Sequence, residues 1–405
     1  MTFGDVLLVG TKYRIKTFDL TIGSTYKYSV SNKLIMSMTI VEDYDKFIFP
    51  YFEMVFAVPT NTYRLLQKHA EDIKATMNLQ KAKFKDAVTL EVDTSNAFRN
   101  CLNQTFYVMF TDTTPELTEA EQKIVEQSEN AYGTLSTVKV LLYPYEYYKK
   151  FDNVANDVLR NATLADALTY CINKAGISNV LFSPPTNCKR YNQFIITPIP
   201  FKNQVERICN SYAMHTYGTL IFFGLDRMYI IDKEPKCTAY ETNEFTITYI
   251  VADGKSPSTS QTGGCYEHQT KKYNLVNATN IDIKDKQQTA LKTAGSNIIA
   301  VDSSGTVTKS DTSGSGTTKV IVQEEGDNTL SAVNRGIIET KFILTANFAN
   351  IDIQMLTPNK QFILTLDGTS EKATYNGRYR ITRVSHVFAK DGDNFVVNTT
   401  AEFKG

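Results

Sequence analysis

The sequence predicts an α+β, β-rich protein in which two strand-rich regions, residues 1–149 and 234–405, flank a smaller α/β region, residues 150–233. Three observations support this prediction. Apolar residues alternate with period two through both flanks, three- and four-residue spacing is concentrated between Leu164 and Tyr212, and Gly10, Gly23, Pro50 and Pro59 cut the first flank into short runs.

In the first flank, β-branched and aromatic runs predict strands over residues 6–9, 13–20, 37–41, 54–58, 88–92, 105–110 and 137–143. Leu66, Ala70, Ile73 and Met77 recur at helical spacing, which predicts a helix over residues 62–77 lying across that sheet. Thr118-Glu-Ala-Glu121 has capping-box spacing and opens a charged stretch, so a solvent-facing helix is expected there. Lys81, Lys83 and Lys85 alternate as a solvated strand face would.

The middle region is the most explicit. Thr163-Leu-Ala-Asp166 is a second capping box, followed by Leu164, Ala167, Leu168, Cys171 and Ile172 on one stripe and Gly176 as the stop. Pro200 precedes a second periodic set, Val205, Ile208, Cys209 and Tyr212, which ends near Gly218. Residues 219–223 and 228–231 then read as a hairpin around Gly224-Leu-Asp226. Cys171 and Cys209 fall on the apolar stripes and read as small core residues.

Within the last flank, residues 245–251 form one strand, and a polar insertion occupies residues 253–325. This insertion is too polar for a core of its own. Residues 253–318 are expected to be an ordered extension that contacts a neighbouring chain, with Ile281, Ile283, Ile298, Ile299 and Val301 either adding short strands to an exposed sheet edge or packing against an adjacent subunit. After residue 337 the alternation is clean: Phe342, Leu344, Ala346, Phe348; Phe362, Leu364, Leu366; Tyr379, Ile381; Phe395, Val397, Ala401, Phe403.

Bulk composition excludes several functions. The 43 basic residues balance 43 acidic ones, so there is no electrostatic footprint for wrapping nucleic acid or binding an anionic membrane. No stretch approaches the ~20 apolar residues of a membrane span, and the first residues lack the pattern of a cleaved signal. No nucleophile elbow, phosphate-binding loop or metalloprotease helix occurs. Cys265-Tyr-Glu-His268 offers half of a zinc site without a second half. His215 and His386 read as buried sheet residues with hydrogen-bonded rings, and the pairs Glu119/Glu121 and Glu324/Glu325 as solvated surface. The expectation is therefore no enzyme, no cofactor and no metal.

Two segments carry a resemblance. The block over residues 161–232, ending in His215-Thr-Tyr-Gly-Thr-Leu-Ile-Phe-Phe-Gly-Leu-Asp-Arg-Met-Tyr-Ile-Ile-Asp232, is the first. The second is Asn376-Gly-Arg-Tyr-Arg-Ile-Thr-Arg-Val-Ser-His-Val-Phe388. Together they resemble the tail or baseplate hub proteins of contractile-tailed phages, the late control D family, which includes the hub portion of type VI secretion spike proteins. The matching residues are Leu164, Pro200, Phe201, Gly218, Gly377, Tyr379 and His386. The resemblance implies that both flanks are antiparallel β-barrels like those of the tail tube, and that a homotrimer forms a pseudo-hexameric ring. It also implies partners: the tail tube protein, the central spike protein, the tape measure protein, and baseplate wedge or sheath components. DNA would pass through only in transit, and the protein, made in the host cytoplasm, would reside in the virion without integral membrane contact. Two other classes remain open, a virion-associated cell-wall glycan hydrolase and a receptor- or carbohydrate-binding tail protein. A clustered acidic pocket or a shallow aromatic groove would mark those; flat apolar lateral surfaces would mark a hub.

Overall fold

Alternation along the first flank produces inward-facing rows that close into a barrel. The computed structural model describes residues 7–9, 11–83, 98–111, 115–212, 214–215, 218–233, 244–250, 265–267, 273–277, 280–285, 298–301, 307–310, 318–321, 342–358, 361–367 and 375–405. The first flank contains strands β1 (Leu7–Val9), β2 (Thr11–Ile22), β3 (Tyr26–Ser29), β4 (Ile35–Asp43), β5 (Tyr51–Pro59), β6 (Ile73–Lys83), β7 (Phe98–Thr111) and β8 (Leu135–Pro144). Helices α1 (Thr60–Lys68), α2 (Glu119–Tyr132) and α3 (Tyr145–Tyr148) punctuate them. In β2 the buried row runs Tyr13, Ile15, then Phe18, Leu20, Ile22, and the change of phase is a β-bulge between Ile15 and Thr17.

The helix expected over residues 62–77 is shorter. It ends at Lys68, and Ile73, Ala75, Met77 and Leu79 form the buried row of β6. Helical spacing and strand alternation coincide at Ile73 and Met77, and pairing with β2 and β7 decided for the strand. Lys81 also departs from a solvated face: its ammonium meets Asp352 at 2.8 Å with both side chains largely buried. Helix α2 is capped as expected, with the Thr118 hydroxyl accepting from Glu121 N and the Glu121 carboxylate accepting from Thr118 N. The strand expected over residues 88–92 lies outside the described residues.

The middle region adds β9 (Val154–Ala162), helix α4 (Leu164–Ala175), β10 (Val180–Phe182), β11 (Tyr191–Pro200), helix α5 (Phe201–Glu206), β12 (Thr219–Phe223) and β13 (Met228–Asp232). Strands β9 and β11 form an antiparallel ribbon, and β10-β13-β12 form a separate small sheet. A π turn, Arg207–Ser211, continues α5 and brings Ile208 and Cys209 into the same core as α4.

The last flank supplies β14 (Glu244–Ile250), β15 (Cys265–Glu267), β16 (Tyr273–Asn277), β17 (Asn280–Asp285), β18 (Ile298–Val301), β19 (Val307–Ser310), β20 (Thr318–Ile321), β21 (Phe342–Ala349), β22 (Gln361–Asp367), β23 (Gly377–Asp391) and β24 (Asn394–Lys404). Within the polar insertion, β17 adds to the edge strand β21 of its own chain, with Ile281 opposite Ala346 and Ile283 opposite Leu344. Strands β18, β19 and β20 form a small sheet of their own.

Two arrangements emerge from one connected sheet of 16 strands. The first is a closed barrel in the order β23-β4-β5-β8-β7-β6-β2-β24, sealed because β23 and β24 also pair with each other. The barrel of the first flank is thus completed by the last hairpin of the chain. Its seam, β2 against β24, rests on one paired position among the described residues, Tyr13 opposite Phe395. Side chains reinforce the seam: Lys12 to Asp391 at 2.6 Å, Arg14 Nε to Asn394 Oδ1 at 3.1 Å, and the Tyr13 ring edge-on to Phe388 at 5.4 Å. The second arrangement runs β1-β15-β16-β14-β22-β23-β24-β21-β17 and is predominantly antiparallel, with β14 lying parallel to both β16 and β22. Residue 234, the compositional boundary between regions, does not separate the pairings, since β23 and β24 serve both arrangements and β1 pairs with β15.

Phe388, Phe395 and Val397 from the last hairpin are fully buried in the core of the first barrel. Phe388→Ala should therefore cost about 3–5 kcal/mol in chemical denaturation followed by a probe in the first barrel. Val387, 44% exposed on the opposite face of β23, is the control, with Val387→Ala expected within about 0.5 kcal/mol of wild type.

Candidate functional site

Strands β23 and β24 run through two hydrophobic cores and β4 leads from the first to the second, and each carries one buried polar residue at the crossing. On β4 the inward row is Met38 and Ile40 in the first core, then Glu42, then Tyr44 in the second, just past the end of the strand. On β23 it is Ile381 and Val384 in the second core, then His386, then Phe388 in the first. On β24 it is Phe395 and Val397 in the first core, then Thr399, then Ala401 and Phe403 in the second. The register aligns these positions, with His386 opposite both Ile40 and Thr399, and Glu42 opposite Val384. The result is a polar waist between two apolar compartments.

The waist is chemically uneven. His386 Nδ1 and Thr399 Oγ1 are joined by a cross-strand hydrogen bond of 2.8 Å. Burial lowers the His386 pKa to about 3, so the ring is neutral across the physiological range. Glu42 is pushed the other way, to about 8, by desolvation; Leu225 N donates to it at 3.2 Å. Tyr44 is buried beside Glu42: burial first, and then the neighbouring carboxyl group, push its pKa up, while the hydroxyl in turn favours the charged form of Glu42. On the outward side, Arg380 meets Asp45 at 2.7 Å and Lys404 bonds the same carboxylate. Burial works to raise the Asp45 pKa, and these two cations outweigh it to hold the pKa below its usual value.

A cavity of about 260 Å³ opens at this level. Glu42, Tyr44, Asp226, Gln354, Thr357 and His386 supply its polar lining. Leu79, Leu102 and Ile353 are among its apolar lining.

The hairpin β12–β13 divides the second core from the helical unit. Both strands are buried throughout; Leu220, Phe222, Tyr229 and Ile231 face the second core, and Ile221, Phe223, Met228 and Ile230 face α4 and α5. Aromatic rings fasten the unit to the loop after β4: Phe47 stacks on Phe223 at 5.2 Å, and Phe49 meets Phe151 at 4.5 Å. Gly224 turns the hairpin where a Cβ would stand 2.9 Å from the Tyr229 ring, so any other residue displaces that tyrosine.

The seven motif residues fall into three places. Leu164 and Phe201 are buried in the helical core, and Pro200 ends β11 as the N-cap of α5. Gly218 has φ +94°, a left-handed conformation that favours glycine, just before β12. Gly377 opens β23 in open space, and nothing in the structure requires glycine there. Tyr379 lies in the second core with its hydroxyl donating to Tyr375 O at 2.8 Å. Only His386 reaches the waist. His215 is buried in the helical unit, bonded to Thr219 Oγ1 at 2.9 Å and Ser183 O at 3.2 Å. Sequence reasoning passed over Glu42, Tyr44 and Thr399. Their signal was a polar side chain in phase with an apolar alternation, Met38-Ile40-Glu42 and Val397-Thr399-Ala401.

Among the described residues no three His, Cys, Asp or Glu side chains converge as a metal site, and Cys101, Cys171, Cys188 and Cys209 are free thiols. His268 lies outside the described residues. The arrangement defines a β-rich scaffold built around shared strands. The chain belongs to the family described as bacteriophage PBS1 gene 109 protein, which it matches over residues 11–405. Three solved structures illustrate its likenesses. A tail protein from Neisseria meningitidis MC58 aligns over 98% of this chain and 96% of that one, at 9% identity and a TM-score of 0.49. The E. coli c3393 protein, described as a type VI secretion component similar in structure to phage T4 tail proteins gp27 and gp5, aligns over 95% and 76%, at 10% identity and a TM-score of 0.48. The 43 kDa tail protein of prophage MuSo2 from Shewanella oneidensis aligns over 95% and 97%, at 11% identity and a TM-score of 0.47. No curated protein matches the sequence.

The two buried titratable groups predict opposite pH dependences. His386 has a folded-state pKa below the ordinary histidine value of 6.5, so the unfolded chain binds the extra proton and stability is lost as pH falls from 6.5 towards 3. Glu42 has a folded-state pKa above the ordinary glutamate value of 4.5, so its contribution is lost as pH rises from 4.5 through about 8. The two slopes oppose one another between 4.5 and 6.5, and single variants separate them. His386→Asn should be less acid-sensitive than wild type, and Glu42→Gln should gain on wild type as pH rises to 8, with limiting slopes of about 1.4 kcal/mol per pH unit. Urea melts across pH measure both; parallel profiles for variants and wild type would contradict the assignment.

Proposed function

We propose that this protein is a structural component of a phage tail, a baseplate hub in which three copies form a pseudo-hexameric ring joining the tail tube to the central spike. The observation that carries this reading is the fusion of two strand-built cores through the shared strands β23 and β24. One chain then offers two sheet-built modules in fixed relation, and three chains offer six. Membership of a bacteriophage family and the resemblance of residues 161–232 and 376–388 to hub proteins support it. In this reading residues 1–149 with the closing hairpin, and residues 234–405, are the two tube-like modules, and residues 150–233 are the accessory α/β unit. The protein resides in the virion, and a neutral chain suits a lumen through which DNA passes without being held. Its role is geometric and calls for no turnover. Tape measure, wedge or sheath components are further partners in the same reading.

Assembly requires lateral surfaces worth burying. The ribbon β9–β11 presents Val154, Val158 and Ile195 outward, each more than half exposed, with Ile195 directly opposite Val158. A neighbouring copy would remove this apolar strip from water.

Native mass spectrometry of the 45.6 kDa chain, or a reconstruction of the tail, should show three copies around one axis. Val158→Asp should leave the chain folded and lower the trimer fraction. A monomer or six copies per ring in the assembled tail would contradict the proposal.

A further inference from the structure

We infer that neighbouring copies are joined by strand addition: β20 of one copy lies along the open edge of β9 in the next, so that the β11-β9 ribbon and the β20-β18-β19 sheet become one sheet across the contact. This rests on the trimeric hub reading and names the segment that meets its lateral strip.

The first observation is an edge left open to a strand. Among the described residues β9 pairs with β11 alone. The outer edge of β11 is blunted by Pro198 and Pro200, which have no N–H to give, and by a bulge between Ile196 and Ile199. Strand β9 has neither proline nor glycine. Val158 N donates at 2.7 Å to the carboxylate of the adjacent Asp157, an exposed side chain standing where an added strand would offer a carbonyl. A groove of about 360 Å³ lies here, lined by residues 157–162 of β9 and by Asp166 and Tyr170 of α4. One face of the ribbon packs on α4, while the other carries the strip of Val158 and Ile195, so the groove is continuous with the surface that the ring contact covers.

The second observation is an edge elsewhere in the chain that fits it. Strands β18, β19 and β20 have four residues each and, among the described residues, pair only with one another, which leaves β20 at one edge. A sheet this small gains stability from a further strand. The strand β20 reads Thr318-Lys-Val-Ile321, and strand alternation puts positions 319 and 320 on opposite faces. Positions 157 and 158 of β9 alternate in the same way, with aspartate on one face and valine on the other. Added to β9, β20 brings a valine position to the Val158 strip and a lysine position to the side of Asp157 and Asp166. The other edge, β19, reads Val307-Thr-Lys-Ser310 and has its valine and lysine positions on one face, so it meets only one of the two demands. Charge agrees with this choice. The three small strands contain Lys309 and Lys319 and no acid, whereas the groove holds Asp157 and Asp166 against the single base Arg160.

Disulfide trapping between two differently tagged full-length chains is the test, in a Cys188→Ser background that removes the exposed native thiol. One chain carries Val158→Cys, an exposed position, and the other carries Thr318→Cys, Lys319→Cys or Val320→Cys. Strand pairing predicts linking with period two, with position 318 or 320 at least about tenfold faster than 319. A chain carrying both Val158→Cys and the productive partner cysteine should oxidise to covalent trimers. Trimers by native mass spectrometry with equal linking at all three positions, which means packing without a ladder, or with none, which means another segment covers β9, would overturn strand addition and leave the hub reading standing. Monomers or six-copy rings would overturn both.

Discussion

Everything in this structure depends on strands β23 and β24, which belong to two cores at once, and on β4, which lies in the first core and delivers Tyr44 into the second just past its end. A strand shared between compartments cannot adjust its register for one without disturbing the other, because a slip of one residue turns every inward side chain outward. The polar residues Glu42, His386 and Thr399 mark where this double obligation changes hands. They interrupt what would otherwise be a continuous apolar row, and they fix position: His386 finds its partner only when Thr399 is directly opposite. Buried polar groups of this kind add little net stability, but their satisfaction discriminates against shifted pairings.

The waist also holds the helical unit. Leu225 N donates to Glu42, and Tyr44 packs against Phe222 at 5.2 Å, so the turn and one face of the β12–β13 hairpin are bound where the two cores meet. The other face of that hairpin is the floor of the helical core. A displacement of the helical unit is thus transmitted through packed side chains to the shared strands.

Much of this was legible in the sequence because it is local. Both capping boxes, the hairpin turn at Gly224 and the inward rows of the C-terminal strands follow from spacing alone. Pairing partners were not legible: alternation in residues 377–404 states which side chains face inward, and says nothing of β2 or β4 more than 330 residues earlier. Strand β9 was missed because Val154-Ala-Asn-Asp-Val-Leu-Arg-Asn-Ala162 has weak strand character and is ordered by pairing with β11. Residues 62–77 misled because two periodicities share Ile73 and Met77. At the waist, the polar interruptions were visible as letters, but their convergence needed the register.

If the shared strands bind both cores into one cooperative unit, the whole chain should unfold together. Native-state hydrogen exchange followed by mass spectrometry is the direct measurement, comparing peptides from β6 and β7 in the first barrel, β22 in the second sheet and the β23–β24 hairpin. The account predicts that all three sets exchange through the same opening, with a common free energy and a common denaturant dependence. Exchange of the β23–β24 hairpin or of β22 through a separate, lower-energy opening while β6 and β7 stay protected would show that the cores are independent, and would contradict it.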